Sequence, residues 1–292
     1  MGLTSILDET RSVRRFVDVA LCAVALLFAD TMHPARADDE NVPEVRPFNY
    51  AFASYVGGGI YAKNGRTLWI VPIPVGLGVR SEDEHFLGIR VTLKTTLGFF
   101  DFKPQDFIDF EIPDRVGTVS LLPGVEFPMR VTKNWLLTPF GDFGIAADTE
   151  NQQLTWVTGF GANSRAEFYW KRQKFLLWNR LVYARDFANG QEPAEDFLLF
   201  ETIFEPRVPL GGIRGNPTDL GLFLLADSFF YPVIVPRADG GKSKILRRYE
   251  IGITYGSAEP TKLWIFPVPR IGLSWRFGQD VTGFRFILTY SY

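Results

Sequence analysis

The chain has 292 residues, a formal net charge of −2 at pH 7 and a single cysteine, Cys22. A near-neutral charge gives no basic footprint for nucleic acid, and one cysteine excludes a disulfide framework within the chain and a thiolate metal site. Aromatic residues make up 15% of the chain although the mean hydropathy is only +0.02. No apolar stretch after Ala37 reaches the roughly 18 uncharged residues of a transmembrane helix, so a helical membrane protein is excluded.

The first 37 residues have the three parts of a secretory signal peptide. Arginines precede an apolar run from Phe16 to Ala29, and Ala35-Arg36-Ala37 forms a small-x-small cleavage pattern. A retained membrane anchor is the alternative, but the run of about 14 residues is shorter than the roughly 20 that span a bilayer. We therefore expect cleavage before Asp38 and a short segment of residues 38–50, which leaves one domain of residues 51–292.

Alternation of apolar with small or charged residues recurs through this domain. From Leu87, for example, every second residue is aliphatic, and Arg90 and Lys94 belong to the other set. Side chains alternate between the two faces of a strand, and lipid cannot solvate charges. The pattern predicts an all-β fold, a transmembrane antiparallel up-and-down β-barrel of about 12 strands. The strands are predicted to start near Ala51, Thr67, His85, Val116, Asn134, Leu154, Phe175, Phe197, Leu220, Leu246, Trp264 and Val281.

Prolines interrupt several of these strands. Pro72 and Pro74 lie in the second strand, and Pro209, Pro267 and Pro269 lie in later ones. A proline removes a donor from the hydrogen-bond ladder and belongs at strand edges or bulges. We therefore expect bulged strands, or strand ends that overhang the membrane.

The connections alternate in length. The connections between predicted strands are numbered here in chain order. The odd-numbered ones include three long connections, residues 103–115, 186–196 and 237–245. The even-numbered ones are short except for residues 211–218. Short periplasmic turns and long extracellular loops are typical of such barrels. Both termini are therefore expected on the periplasmic side.

The charged side chains on the inward-facing positions are of both signs, with arginine in excess. They indicate either an anion-selective pore or a core of arginine–carboxylate pairs. A barrel of about 12 strands is wide enough for a small channel or for an interior filled with side chains. The predicted lumen-lining residues are Arg90, Lys94, Glu126, Arg130, Asp142, Arg165, Glu167, Arg180, Glu201, Arg207, Glu250, Arg270, Arg276 and Arg285.

The last twelve residues alternate most clearly. The even-numbered set from Thr282 is predicted to face lipid, and the odd-numbered set from Gly283 is predicted to face the lumen. Aromatic residues also cluster at predicted strand ends, for example at Trp135 and at Tyr169-Trp170. Tryptophan and tyrosine favour the membrane interface, although aromatic packing in a soluble β-sandwich is the alternative.

This chain resembles the outer-membrane β-barrels of Gram-negative bacteria. The resemblance rests on the signal, the strand pattern and the closing residues Phe284, Phe286, Leu288, Tyr290 and Tyr292. It implies that the closing strand is recognised by the barrel-assembly machinery, although that strand usually ends in Phe or Trp. It also implies periplasmic chaperones, outer-membrane lipid and lipopolysaccharide as partners. Strand number and length are similar to the translocator barrel of autotransporters, here without a passenger.

The sequence predicts no catalytic, cofactor-binding or metal-binding residue. His85 is the only histidine after residue 37, and it follows an acidic run in a predicted periplasmic turn, whereas lipid hydrolases of this class place a serine–histidine pair towards the outer leaflet. Gly57-Gly58-Gly59 lies in a predicted strand and is not a phosphate-binding loop. We expect a non-enzymatic barrel that serves as a small pore or a structural, surface-exposed protein. The alternatives are an outer-membrane lipid hydrolase and a soluble periplasmic lipid-binding barrel.

Overall fold

A computed structural model describes residues 54–55, 58–63, 66–83, 86–100, 117–148, 153–170, 173–187, 196–213, 216–236, 242–263, 266–278 and 281–289. The strands are β1 (Gly59–Lys63), β2 (Arg66–Arg80), β3 (Ile89–Phe100), β4 (Thr118–Glu126), β5 (Met129–Thr132), β6 (Trp135–Asp148), β7 (Gln153–Trp170), β8 (Gln173–Phe187), β9 (Asp196–Ile213), β10 (Asn216–Pro236), β11 (Lys242–Leu263), β12 (Phe266–Gly278) and β13 (Val281–Thr289).

All strands belong to one antiparallel sheet in which chain neighbours are sheet neighbours. The order is β4-β3-β2-β1-β13-β12-β11-β10-β9-β8-β7-β6-β5, and β4 also pairs with β6. Because β4 and β5 are separated only by Phe127-Pro128 and both pair with β6, they are two parts of one strand. The predicted all-β, up-and-down arrangement of twelve strands is confirmed.

Two details of the predicted strands are wrong. The first strand was predicted to start near Ala51, which lies outside the described residues. Ser54 and Tyr55 are described and are not in the sheet, and β1 begins only at Gly59. The first residue of β1, Gly59, has a φ of 153°, a conformation that residues with a side chain rarely adopt. The expected long turn over residues 211–218 is also wrong, because β9 continues to Ile213 and β10 begins at Asn216. Both strands are longer than the sequence pattern indicated.

Exposure alternates along the strands as the sequence predicts. In β13, Thr282, Phe284 and Phe286 are exposed, whereas Gly283 and Ile287 are buried. In β10, Leu222 and Leu224 are exposed and Phe223 and Leu225 are buried. The exposed set is apolar in strand after strand, and the buried set contains most of the charge. A soluble lipid carrier would have the reverse arrangement, with its charges outside.

Several prolines lie where the pairing is irregular. Pro128 falls in the break between β4 and β5. The β9–β10 register shifts beside Pro209, and the β11–β12 register shifts beside Pro269. These positions are the bulges and interruptions where a missing amide donor costs little.

The buried interior has an apolar part and a charged part. The apolar cluster includes Val182 of β8, Phe197 and Leu199 of β9, Phe229 of β10 and Ile245 of β11. These residues lie towards the strand ends joined by the odd-numbered connections. The charged residues follow along the same strands, nearer the even-numbered connections.

One stretch of the sheet lacks a neighbour on one side. β1 pairs with β2 only from Gly59↔Ile70 to Lys63↔Arg66, and β1 pairs with β13 only at residues 60–62 and 282–284. Among the described residues, β2 therefore has no partner on its β1 side from Val71 to Arg80. We call this stretch the open edge. Residues 72–80 are exposed on both faces, so the sheet is not closed along its full height.

Candidate functional site: the ion-paired interior

The most deeply buried ion pair joins β10 and β11. Asp227 and Arg248 are opposite each other in the sheet register, and both side chains are fully buried. Arg248 donates to Asp227 Oδ2 through Nε at 3.0 Å and also through a terminal nitrogen. A charge-assisted pair with two donors on one carboxylate is stronger than a neutral hydrogen bond.

A second cluster is centred on Glu250 of β11. Arg276 of β12 donates to Glu250 Oε2 at 2.7 Å, and Arg285 of β13 donates to Oε1 at 2.8 Å. Ser274 donates to the same Oε1 at 2.5 Å. Glu250 and Arg276 are also register partners. One carboxylate therefore connects three successive strands.

A third cluster is centred on Glu205 of β9, which is fully buried. Arg207 donates to its Oε2 through Nε at 3.1 Å and through a terminal nitrogen at 2.7 Å. Arg270 of β12 lies 3.4 Å from Oε1 and also pairs with Asp219 of β10. Thr254 of β11 donates to Oε1. This cluster spans four strands, β9 to β12.

Tyr55 forms a fourth group with residues from several strands. Its hydroxyl donates to Asp142 Oδ2 of β6 at 3.0 Å, and Lys94 of β3 donates to the same oxygen at 2.7 Å. Arg180 of β8 donates to the Tyr55 carbonyl at 2.7 Å and pairs with Glu201 at 3.3 Å. Burial and the Asp142 carboxylate raise the pKa of the Tyr55 phenol, so the phenol stays protonated and remains a donor.

A glycine makes room for the Tyr55 ring. A Cβ atom on Gly159 of β7 would lie 2.1 Å from the Tyr55 hydroxyl oxygen, a distance that no side chain can occupy. The ring also meets Phe197 edge to face, with centroids 6.4 Å apart. The side chain thus fits a recess that the sequence of β7 provides.

The predicted lumen residues divide into interior and peripheral groups. Nine of them belong to the buried clusters just described: Lys94, Asp142, Arg180, Glu201, Arg207, Glu250, Arg270, Arg276 and Arg285. Arg165 and Glu167 pair with each other near the end of β7, and Lys174 also pairs with Glu167. Arg90 and Glu126 form a partly exposed pair at 3.2 Å. Arg130 is exposed and pairs with Asp83 in the β2–β3 connection.

The predicted lumen residues do not include Glu205, Asp219, Asp227 and Arg248. The alternation of side chains along a strand could have added two of them to the list. Glu205 lies two residues from Arg207, and Arg248 lies two residues from Glu250, so each shares a face with a predicted lumen residue. Asp227 is the only charged residue between Leu220 and Pro236, and its isolation in an apolar segment was the signal that it needed a partner.

Among the described residues, no group of three or more His, Cys, Asp or Glu side chains could hold a metal ion. His85, the one histidine considered for catalysis, lies outside the described residues. No helix in the described part of the chain is long and apolar enough to cross a bilayer. The paired charges of the interior can fix the strands to one another and exclude water.

No protein-family model matches this chain. The comparison with curated proteins likewise gives no match.

Proposed function

We propose that this chain is an integral outer-membrane β-barrel with a filled interior, similar to a passenger-free translocator barrel, and that its role is structural or surface-exposed. One observation carries the proposal: the charged side chains are buried on one face of the sheet, and apolar side chains are exposed on the other. Lipid tolerates only apolar side chains on a barrel's outer face, because a charge in hydrocarbon is costly.

The exposed face supports insertion into a bilayer. The side chains of Leu222, Ile253, Leu273 and Phe284 are 50–61% exposed, and that of Leu77 is 70% exposed. Soluble monomers rarely expose contiguous apolar patches larger than a few hundred Å², and this face extends over many strands. Aromatic side chains at strand ends, such as Trp135 and Trp170, are exposed as well, which suits the membrane interface.

The interior supports a filled barrel rather than a wide pore. Arg248, Arg276 and Glu250 are at most 1% exposed, so water does not reach their side chains. An ion crossing the lumen would have to break such pairs in a medium where an unpaired charge is strongly disfavoured. Of the two uses considered for the lumen charges, a core of arginine–carboxylate pairs is the one we propose.

Two measurements test the proposal. Fractionation of expressing cells, with sequencing of the mature amino terminus, should find the protein in the outer membrane with a start near Asp38. Recovery in the soluble periplasm would contradict it. In planar bilayers, the refolded protein should lack the stable conductance steps of a wide pore, whereas large and reproducible steps would replace the filled barrel with a porin-like one.

A further inference from the structure

The open edge of β2 is the least expected feature of this fold. Its backbone lacks a strand partner from Val71 to Arg80 among the described residues. On the other side of the same gap, β13 pairs with β12 to Thr289, but its described pairing with β1 ends at Phe284. Open strand edges do not face hydrocarbon, because each unsatisfied backbone group costs several kcal/mol there. The proposed barrel therefore requires an occupant for this gap.

The register of β1 indicates which segment fits the gap. The pairs Gly59↔Ile70 and Ile60↔Trp69, continued towards the amino terminus, bring Tyr55 opposite Pro74 and Ser54 opposite Val75. The pair Ile60↔Phe284, continued in the same way, brings Tyr55 opposite Thr289. A single extension of β1 would thus satisfy both edges at once.

In the structure, Ser54 and Tyr55 are elsewhere. Ser54 Oγ lies 3.1 Å from Ser120 Oγ of β4. The Tyr55 hydroxyl and carbonyl bind Asp142 and Arg180. β1 begins at Gly59, where φ is 153°. Ser54 and Tyr55, which belong to the segment that could fill the gap, are therefore held in the interior.

We propose that the open edge is a docking site for this chain's own segment around Ser54-Tyr55, which adds to β2 as a continuation of β1. The inference rests on the proposed membrane barrel. The segment then has two positions: the interior position, fixed by Tyr55 in the Gly159 recess, and the edge position, paired with β2. Exchange between them opens or fills the wall of the barrel beside β2.

Pro72 and Pro74 favour a reversible edge position. Each lacks an amide donor, yet the β2–β3 register runs without a shift from Leu68 to Gly78. Because they are two residues apart, their missing donors point to the same side of β2. An unbroken β3 pairing is expected when that side is the open edge. An added strand would gain fewer hydrogen bonds there than at an ordinary edge, and proline also protects a vacant edge from foreign strands.

Paired cysteines test the two positions in the full-length protein. The only native cysteine, Cys22, lies before the predicted cleavage site and is replaced by serine in all variants. Ser54→Cys with Ser120→Cys reports the interior position, and Ser54→Cys with Val75→Cys reports the edge position, since directly opposed residues on paired strands are close enough for a disulfide. Ser54→Cys with Leu77→Cys is off register by two residues and is the control. Disulfide yield after mild oxidation is read from gel mobility.

The Gly159 recess provides the variant that shifts the equilibrium. Gly159→Ala expels the Tyr55 ring, and Tyr55→Phe removes only its hydrogen bond to Asp142. Gly141→Ala is the matched control, because a Cβ atom on Gly141 meets nothing within 4 Å. We expect both recess variants to raise the 54–75 yield relative to the 54–120 yield, by about five-fold for the loss of one hydrogen bond. Gly141→Ala should leave the ratio unchanged.

Three results would overturn the inference: no 54–75 disulfide in any background, equal yields for the 54–75 and 54–77 pairs, or a ratio that the recess variants do not change. The disulfide yields are measured on folded protein in detergent as well as in liposomes. A protein that fails to insert into liposomes would contradict the proposed function, while the yields in detergent would still decide between one position and two.

Discussion

Two parts of the sheet follow the same alternation and fill their inner faces differently. In β9 to β13, which we call the packed wall, inward residues such as Arg248 and Glu250 are buried in ion pairs that connect neighbouring strands. Along the open edge, the corresponding positions are Pro72, Pro74, Gly76 and Gly78, and they are exposed. Alternation therefore determines which face a residue occupies, and residue size and charge determine whether that face is filled.

The difference also separates two sources of stability. In the packed wall, each carboxylate has several donors from different strands, so the loss of one group leaves buried charges without compensation. Along the open edge, little is buried, and the pairing with β3 is the main contribution. We expect substitutions in the packed wall to be costly and those along the open edge to be tolerated.

The largest expected effect is that of Glu250→Gln. It leaves Arg276 and Arg285 buried with one neutral acceptor, and breaking a buried pair in this way costs about 3–5 kcal/mol. Glu126→Gln is the matched control, because its partner Arg90 has a side chain that is 43% exposed, and exposed pairs contribute about 0–1 kcal/mol. The free energy of unfolding, from denaturant titration in liposomes, measures both. Similar losses for the two variants would remove the distinction between a packed and an open interior.

The sequence was sufficient to predict the strands of both regions, but not their inner faces. Period-two alternation indicated twelve strands with starts close to the observed ones at Thr67, Leu154 and Val281. It also placed Arg276 and Arg285 on the same face as Glu250 in the predicted strands, and in the structure both donate to that carboxylate. It could not assign Glu250 as the partner of both, because pairing across strands depends on register, which a single sequence leaves open.

The amino-terminal part of the domain was the least predictable. Tyr55 lies in a run that alternates well enough to be interpreted as a strand, and nothing local distinguishes a strand from a segment that turns inward. The recess at Gly159 and the hydrogen bond to Asp142 come from residues about 90 to 100 positions away in the chain. Only tertiary contacts could therefore place Tyr55 in the interior, a case in which tertiary context overrides local propensity.

Placing an arginine on each face sharpens the comparison further. Leu224→Arg puts a charge on the exposed face near the middle of β10, where the cost in lipid is about 2–4 kcal/mol. Gly78→Arg puts the same side chain on the face of β2 opposite to Leu77, where a Cβ atom meets nothing within 4 Å. Because the arginine can reach water there, we expect a cost of about 1 kcal/mol or less. Denaturant titration of both variants in liposomes gives the difference.

An equal cost for the two arginines would mean that the exposed face of β10 does not contact lipid. A larger cost for Gly78→Arg would mean that the inner face of β2 is filled in the membrane. The second result would agree with a segment docked at the open edge, and the disulfide yields of the 54–75 pair would then have to be high without any recess variant.

The smallest expected effect concerns the exposed pair of Arg130 and Asp83, in which the two side chains are 41% and 69% exposed. Arg130→Ala should cost at most about 1 kcal/mol, and that cost should shrink as salt is added, because counter-ions screen exposed charges. Arg248 and Asp227 are fully buried, so the cost of Asp227→Asn should hardly depend on salt. Unfolding titrations of both variants at low and high ionic strength measure how each cost depends on salt.

If salt reduced the cost of Asp227→Asn as much as that of Arg130→Ala, ions from solution would be reaching the packed wall, and its inner face would line a water-filled lumen.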